Sequence, residues 1–249
     1  MLTRIFTAAG LLALAGPVAA QDCRLALVLA LDASGSVSAA ESRLQHEGLA
    51  AALLAPDVRR AFLAGGPVAL YVFEWADASS QAALLPGWKM IESEEDLRAV
   101  AATLERAWPT SLRATGAVAD GTAVGAALLH AAAALEAGPD CPGRTVDVAG
   151  DGVSDQGLEP SDVIGSLYDG ITVNALVVEE SYDDPMLDRR LGGDTGIAAW
   201  FSHVVLHGPG AFCIVADGFE DYERAMTAKL RRELETPLAS SDAGGVDAG

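Results

Sequence analysis

The apolar run LALVLAL at residues 25–31, ending on Asp32, constrains the fold more than any other feature. It carries no polar residue at alternate positions, so it does not suit a strand with one wet face. It suits a strand buried on both faces, as in a parallel sheet, and such a strand needs helices on either side. The rest of the chain supplies strands and helices in alternation. Further strands are expected at residues 68–75 (VALYVFEW), 81–85, 144–149, 171–178 (ITVNALVV) and 211–216. Ser38 with Glu41, and Ser93 with Asp96, form capping-box patterns that open helices to about Leu54 and over residues 93–107. A short helical piece at 57–63 stops at Gly65-Gly66-Pro67. Residues 109–121 read as loop. An Ala-rich helix at 122–137 stops at Gly138-Pro139, and helices follow at 160–169, less regularly at 185–203, and at 219–235. This alternation predicts an α/β fold: a mostly parallel central sheet with one short antiparallel edge strand and helices on both faces, in one domain over residues 21–236. The small, polar tail at 237–249 is expected to be disordered.

Composition excludes several other classes. With 51% hydrophobic and 20% charged residues, the 249-residue chain is too apolar for intrinsic disorder. Three Cys are too few for a disulfide scaffold. Sixteen Lys+Arg against 35 Asp+Glu give a formal charge of −19, which argues against nucleic acid and against anionic membrane surfaces.

Residues 1–20 (MLTRIFTAAGLLALAGPVAA) have the order of a cleavable secretory signal. Arg4 forms a short positive region, residues 5–15 an apolar stretch too short to span a bilayer, and Val18-Ala19-Ala20 a small-residue cleavage site before Gln21. Cleavage after about Ala20 removes one Arg and no acid, so the charge becomes −20. The expected location is periplasmic or secreted, with no membrane insertion after cleavage. Export makes Cys23, Cys141 and Cys213 candidates for a disulfide, and their odd number leaves one over.

The chemistry gathers at strand ends. Asp32, Ser34 and Ser36 directly follow the first strand, spaced by two so that one loop can aim all three at a point. Thr122 opens the Ala-rich helix, and Asp151 stands within Gly150-Asp151-Gly152 after the 144–149 strand. Ligands of open parallel sheets bind beyond the carboxyl ends of the strands. Two carboxylates and three hydroxyls, without thiolate or imidazole, suit a hard cation: Mg²⁺, with Mn²⁺ or Ca²⁺ as alternatives. Singly, each of these residues is an ordinary turn or cap residue; the signal is the full set in this order.

At this point the chain resembles the von Willebrand factor type A (vWA) domains and their metal-ion-dependent adhesion site. Residues 25–37, 74–75, 121–128 (GTAVGAAL), 147–157 (DVAGDGVSDQG), 171–176 (ITVNAL), 208–212 (GPGAF) and 229–234 (KLRREL) resemble a bacterial family of exported, uncharacterised vWA-like proteins. Ala149 stands where Ser is expected, and Asp155 where Asn is more usual. The resemblance implies a three-layer Rossmann-like vWA fold and a divalent cation held by Asp32, Ser34, Ser36, Thr122 and Asp151. It also implies an open coordination position filled by an Asp or Glu carboxylate of a protein partner. In that fold the first strand is central and adjacent to the fourth, which places Cys23 and Cys141 together at the pole opposite the cation. Their pairing, with Cys213 as a buried free thiol, is the implied disulfide.

Other signals are weaker. Residues 151–162 fail as a calcium loop, because Val153 and Gln156 occupy positions that need an acid or Asn and a Gly. No G-x-S-x-G elbow or Walker loop is present. His46, His130, His203 and His207 show no zinc signature and read as structural or surface residues. The basic run at 229–232, with Glu233 and Glu235 beside it, reads as a solvated helix face. Trp75 and Trp88 read as packing residues. The sequence therefore points to a non-enzymatic binding module. A metal-dependent hydrolase and a structural domain with a vestigial site are the alternatives.

Overall fold

The computed structural model describes residues 23–116, 121–179 and 196–235. The expected signal, the polar tail and the 185–195 part of the expected irregular helix lie outside the described residues. Strand β1 (Leu25–Asp32) is buried along its whole length. It pairs in parallel with β2 (Val68–Trp75) on one edge and with β5 (Gly143–Gly150) on the other. Strands β6 (Thr172–Glu179) and β7 (Cys213–Asp217) continue the parallel sheet. An isolated antiparallel bridge joins Val173 of β6 to His207; among the named strands the antiparallel pairing lies on the far side of β2. There β3 (Gln81–Ala83) pairs as expected, and a second three-residue strand, β4 (Lys89–Ile91), joins it.

Helices cover both faces, and the side chains of β1 show why. Leu25, Leu27, Leu29 and Leu31 face a cluster built with α1 (Ala39–Leu54), α2 (Pro56–Leu63), α3 (Glu94–Ala107) and the final helix α8 (Tyr222–Glu235). Ala26, Val28 and Ala30 face α5 (Val124–Glu136), α6 (Pro160–Leu167) and α7 (Ile197–Val204). The small residues of that second face meet the small residues of α5, whose buried positions Val124, Ala127, Leu128, Ala131 and Leu135 recur at helical spacing. Both capping boxes form, at Ser38–Glu41 and Ser93–Asp96. A short helix, α4 (Leu112–Thr115), interrupts the expected 109–121 loop.

One reading is overturned. The basic run in α8 is not a solvated face: Lys229 is 0% exposed, and Glu233 is buried with it. The histidine reading holds for His46, which is buried against Glu74, and Trp75 lies in the core.

Cys23 and Cys141 are joined by a disulfide across 118 residues of sequence, at the amino ends of β1 and β5. Cys213 is free and half-buried rather than fully buried. Burial pushes its thiol up to about 11, which leaves it a poor nucleophile at neutral pH. A bond closing so long a loop removes much chain entropy from the unfolded state. Cys141→Ser is expected to lower unfolding free energy by roughly 2–5 kcal/mol in urea titrations, with one Cys23 thiol newly reactive in denaturant.

Candidate metal centre

The five predicted donors lie on three loops, and each loop is fixed at the carboxyl end of the sheet. The loop after β1 starts where Ala33 N–H donates to Trp75 O of β2 at 2.7 Å. The loop before α5 is tied to the same edge by Ala123 N–H to Ala76 O at 2.9 Å, and Gly35 N–H reaches Gly121 O at 3.4 Å. The third loop leaves β5, the other neighbour of β1. The strand order β2-β1-β5 therefore brings the three together.

Asp32 is the centre of the arrangement. It is 2% exposed, and its Oδ1 accepts the Ser34 N–H at 2.7 Å while Oδ2 accepts the Asp151 N–H at 3.2 Å. Its own carbonyl accepts from Gln45 Nε2 at 2.7 Å. Ser34 is wholly buried and its hydroxyl lies 3.2 Å from that of Ser36, which donates in turn to Asp151 Oδ1. A methyl placed on Gly152 would stand 3.9 Å from Ser36 Oγ and 4.0 Å from Thr122 Oγ1, so both hydroxyls face the same point. Asp32, Ser34 and Thr122 are buried, whereas Ser36 is exposed and Asp151 partly so. The cluster therefore meets solvent at Ser36 and Asp151.

Two carboxylates facing one another in a dry place are an unfavourable pair without a cation. Burial, and then the charge of Asp151, push Asp32 up to about 7. Burial, and then Glu41, raise Asp151 as well. Among the described residues no group of three or more His, Cys, Asp or Glu side chains could hold a metal. This set has two carboxylates, and its other donors are hydroxyls. It fits an ion that accepts few carboxylates and retains water, as Mg²⁺ does.

Several residues that build the site were not foreseen in the sequence. Arg113 of α4 donates through Nε to Val37 O at 2.6 Å and through a terminal nitrogen to Gly35 O at 3.1 Å. It thus holds the Asp32–Ser36 loop from outside. Helix α4 is itself held by Glu74, whose Oε2 accepts Leu112 N–H at 2.9 Å and whose Oε1 lies 2.7 Å from His46 Nε2. Asp155 accepts Thr122 N–H at 2.8 Å, a contact that positions Thr122. Glycine is required at Gly125, where a Cβ would lie 2.0 Å from the backbone oxygen of Leu158; at Gly121 a Cβ would lie 1.9 Å from Nε2 of the Gln156 side chain, which would have to move aside.

The family model described as "Protein of unknown function (DUF1194)" matches residues 22–238. The chain belongs to this family. No curated protein matches it. Among solved structures, a von Willebrand factor type A protein from Catenulispora acidiphila aligns with TM-score 0.52 at 12% identity, over 86% of this chain and 43% of that one. Proximal thread matrix protein 1 from the mussel byssus, with a zinc-occupied MIDAS motif, gives 0.53 at 15%, over 86% and 48%. An aerotolerance-related membrane protein from Bacteroides fragilis gives 0.50 at 19%, over 84% and 99%. The chain spans less than half the length of the mussel and Catenulispora structures. The fold is thus the Rossmann-like vWA fold.

The raised Asp32 carboxyl has a consequence for stability. Between its ordinary value of 3.8 and about 7 the folded chain keeps a proton that the unfolded chain has lost. Without divalent ions, unfolding free energy should therefore fall by roughly 1–3 kcal/mol as pH rises through this window. Urea unfolding in EDTA at pH 5 and pH 8 measures the slope. Asp32→Asn is expected to reduce it by the Asp32 share, leaving the same-signed contribution of Asp147, which burial and the Glu233 charge raise to about 8; a slope unchanged in that variant would assign all of it to other groups.

Proposed function

We propose that this chain is an exported, non-enzymatic binding module. It holds one divalent cation on Asp32, Ser34, Ser36, Thr122 and Asp151 and uses it to grip an Asp or Glu carboxylate of a protein partner. The observation that carries this reading is the convergence of two carboxylates and three hydroxyls, from three separate loops, on one half-open point. A cation there relieves the apposition of Asp32 and Asp151. Five protein donors leave one position of an octahedral ion open, so an incoming carboxylate completes the coordination in a short, directional contact. The charge of −20 expected after signal cleavage would repel an acidic partner, and the ion reverses that repulsion locally.

Mg²⁺ is the ion this donor set suits best, with Mn²⁺ and Ca²⁺ next. Zinc belongs in the comparison, because it occupies the MIDAS motif of the mussel protein. Export rests on the signal pattern of residues 1–20. No helix of the described residues is long and apolar enough to cross a membrane. The hydrolase reading draws no support from a described residue. Arg113 donates through two of its nitrogens to the carbonyls of Gly35 and Val37, and His46 is engaged by Glu74 and Leu104 O.

Isothermal calorimetry with Mg²⁺, Mn²⁺, Ca²⁺ and Zn²⁺ tests the cation. One site per chain is expected, abolished in Asp32→Ala. Arg113→Ala, which loosens the loop and removes no ligand, should weaken binding by roughly tenfold. Absence of any binding, or unchanged binding in Asp32→Ala, would contradict the proposal. A pull-down from cell envelope with and without EDTA tests the partner: proteins retained through the ion are expected to be lost on chelation.

A further inference from the structure

Four of the stretches that carry the family resemblance, at 147–157, 171–176, 208–212 and 229–234, also send residues away from the cation site. They meet instead in one buried cluster. Asp147 on β5 and Asn174 on β6 are register partners. Lys229 and Glu233 stand one turn apart on α8, on the face that packs on the sheet. Lys229 Nζ lies 2.7 Å from Asp147 Oδ1 and 3.0 Å from Glu233 Oε1. Asn174 Nδ2 donates to the same Glu233 oxygen at 2.8 Å, and Asn174 Oδ1 accepts Phe212 N–H at 2.9 Å. The Phe212 ring closes the site, its centre 4.8 Å from Nζ. Side-chain exposures of Lys229, Asp147 and Glu233 are 0%, 2% and 1%.

A settled ion pair would align its donor with a carboxylate lone pair. Nζ approaches Asp147 Oδ1 to 2.7 Å out of ideal hydrogen-bonding alignment, and the carboxyls of Asp147 and Glu233 lie close enough to interact directly. A nucleophile must approach a carboxyl carbon away from the lone-pair directions, and a proton carrier needs a free oxygen. Lys229 Nζ is held in contact with the Asp147 carboxyl, and Glu233 is in contact with the same Nζ. We propose that Lys229 Nζ and Asp147 Cγ condense to an intramolecular amide that staples α8 to β5, with Glu233 carrying the protons.

Burial, and then the Glu233 charge, push Asp147 up to about 8, which favours the neutral acid that an amine can attack. Burial pulls Lys229 down, but Asp147 and Glu233 outweigh it and hold the ammonium charged. The first step is therefore transfer of a proton from the ammonium to Glu233. The free amine adds to Asp147 Cγ, forming the C–N bond. Glu233 then moves a proton from nitrogen to the departing hydroxyl, the C–O bond breaks and one water leaves. The products are an amide, water and protonated Glu233, with no oxidant or cofactor consumed. Enforced contact replaces a bimolecular encounter, and the dry site opposes the reverse hydrolysis. The product also removes two charges from the interior.

The inference is independent of the cation site. Its test is the mass of the purified exported chain, reduced and denatured, with its N-terminus read by peptide mapping. The expected mass is about 18 Da below that of the sequence, one water lost. Trypsin should fail to cut after Lys229 and should yield residues 145–189 joined to residues 225–231. Asp147→Asn, in which ammonia leaves in place of water, should reach the same cross-linked mass. Glu233→Gln should retain the fold and show no loss. A wild-type chain at its full sequence mass, with residues 225–229 released as a linear peptide, would overturn the proposal. A cross-link that persists in Glu233→Gln would overturn the role given to Glu233.

Discussion

Strand β1 is hydrogen-bonded on both edges and buried on both faces, and the rest of the molecule follows from that. No polar side chain is tolerable between Leu25 and Leu31, so the first carboxylate the strand can offer is at its end, in Asp32. Because β2 and β5 run parallel to β1, their carboxyl ends stop at the same level. Three loops must leave the sheet together at that edge. The site is a product of strand order, and the loops bring to it only oxygen donors.

The two faces of β1 divide the labour. Leucines face α1, α3 and α8, and small residues face the Ala-rich α5, which can then approach closely enough for Thr122 and the 154–158 segment to meet at its amino end. The disulfide closes the opposite pole of β1 and β5. The pair of strands that carries Asp32 and Asp151 is thus covalently fixed at one end and holds apposed carboxylates at the other. A framework held this firmly can keep two acids together before any ion arrives.

How much of this was legible in the sequence depended on the range of the interaction. The β1 run, the capping serines Ser38 and Ser93 and the order Asp32, Ser34, Ser36, Thr122, Asp151 are local patterns, and each stands where it was expected. Strand β4 is three residues long and owes its existence to pairing with β2, so local propensity could not announce it. Arg113 and Gln45 act on backbone carbonyls that are distant in sequence, and nothing in their neighbours marks them. Lys229 was misread because a charged run on an amphipathic helix is ordinarily solvated. Its partner Asp147 sits inside an apparent apolar strand, 82 positions away. Only the register of β5 and β6 under α8 brings them into contact.

The central claim is that the edge of the sheet holds a cation on these five residues. Anomalous diffraction from crystals grown with Mn²⁺ tests it most directly. A single peak bounded by Asp32, Ser34, Ser36, Thr122 and Asp151, absent from crystals of Asp32→Ala, is the predicted result. A map with no peak there, or with its strongest peak at another place on the chain, would contradict it.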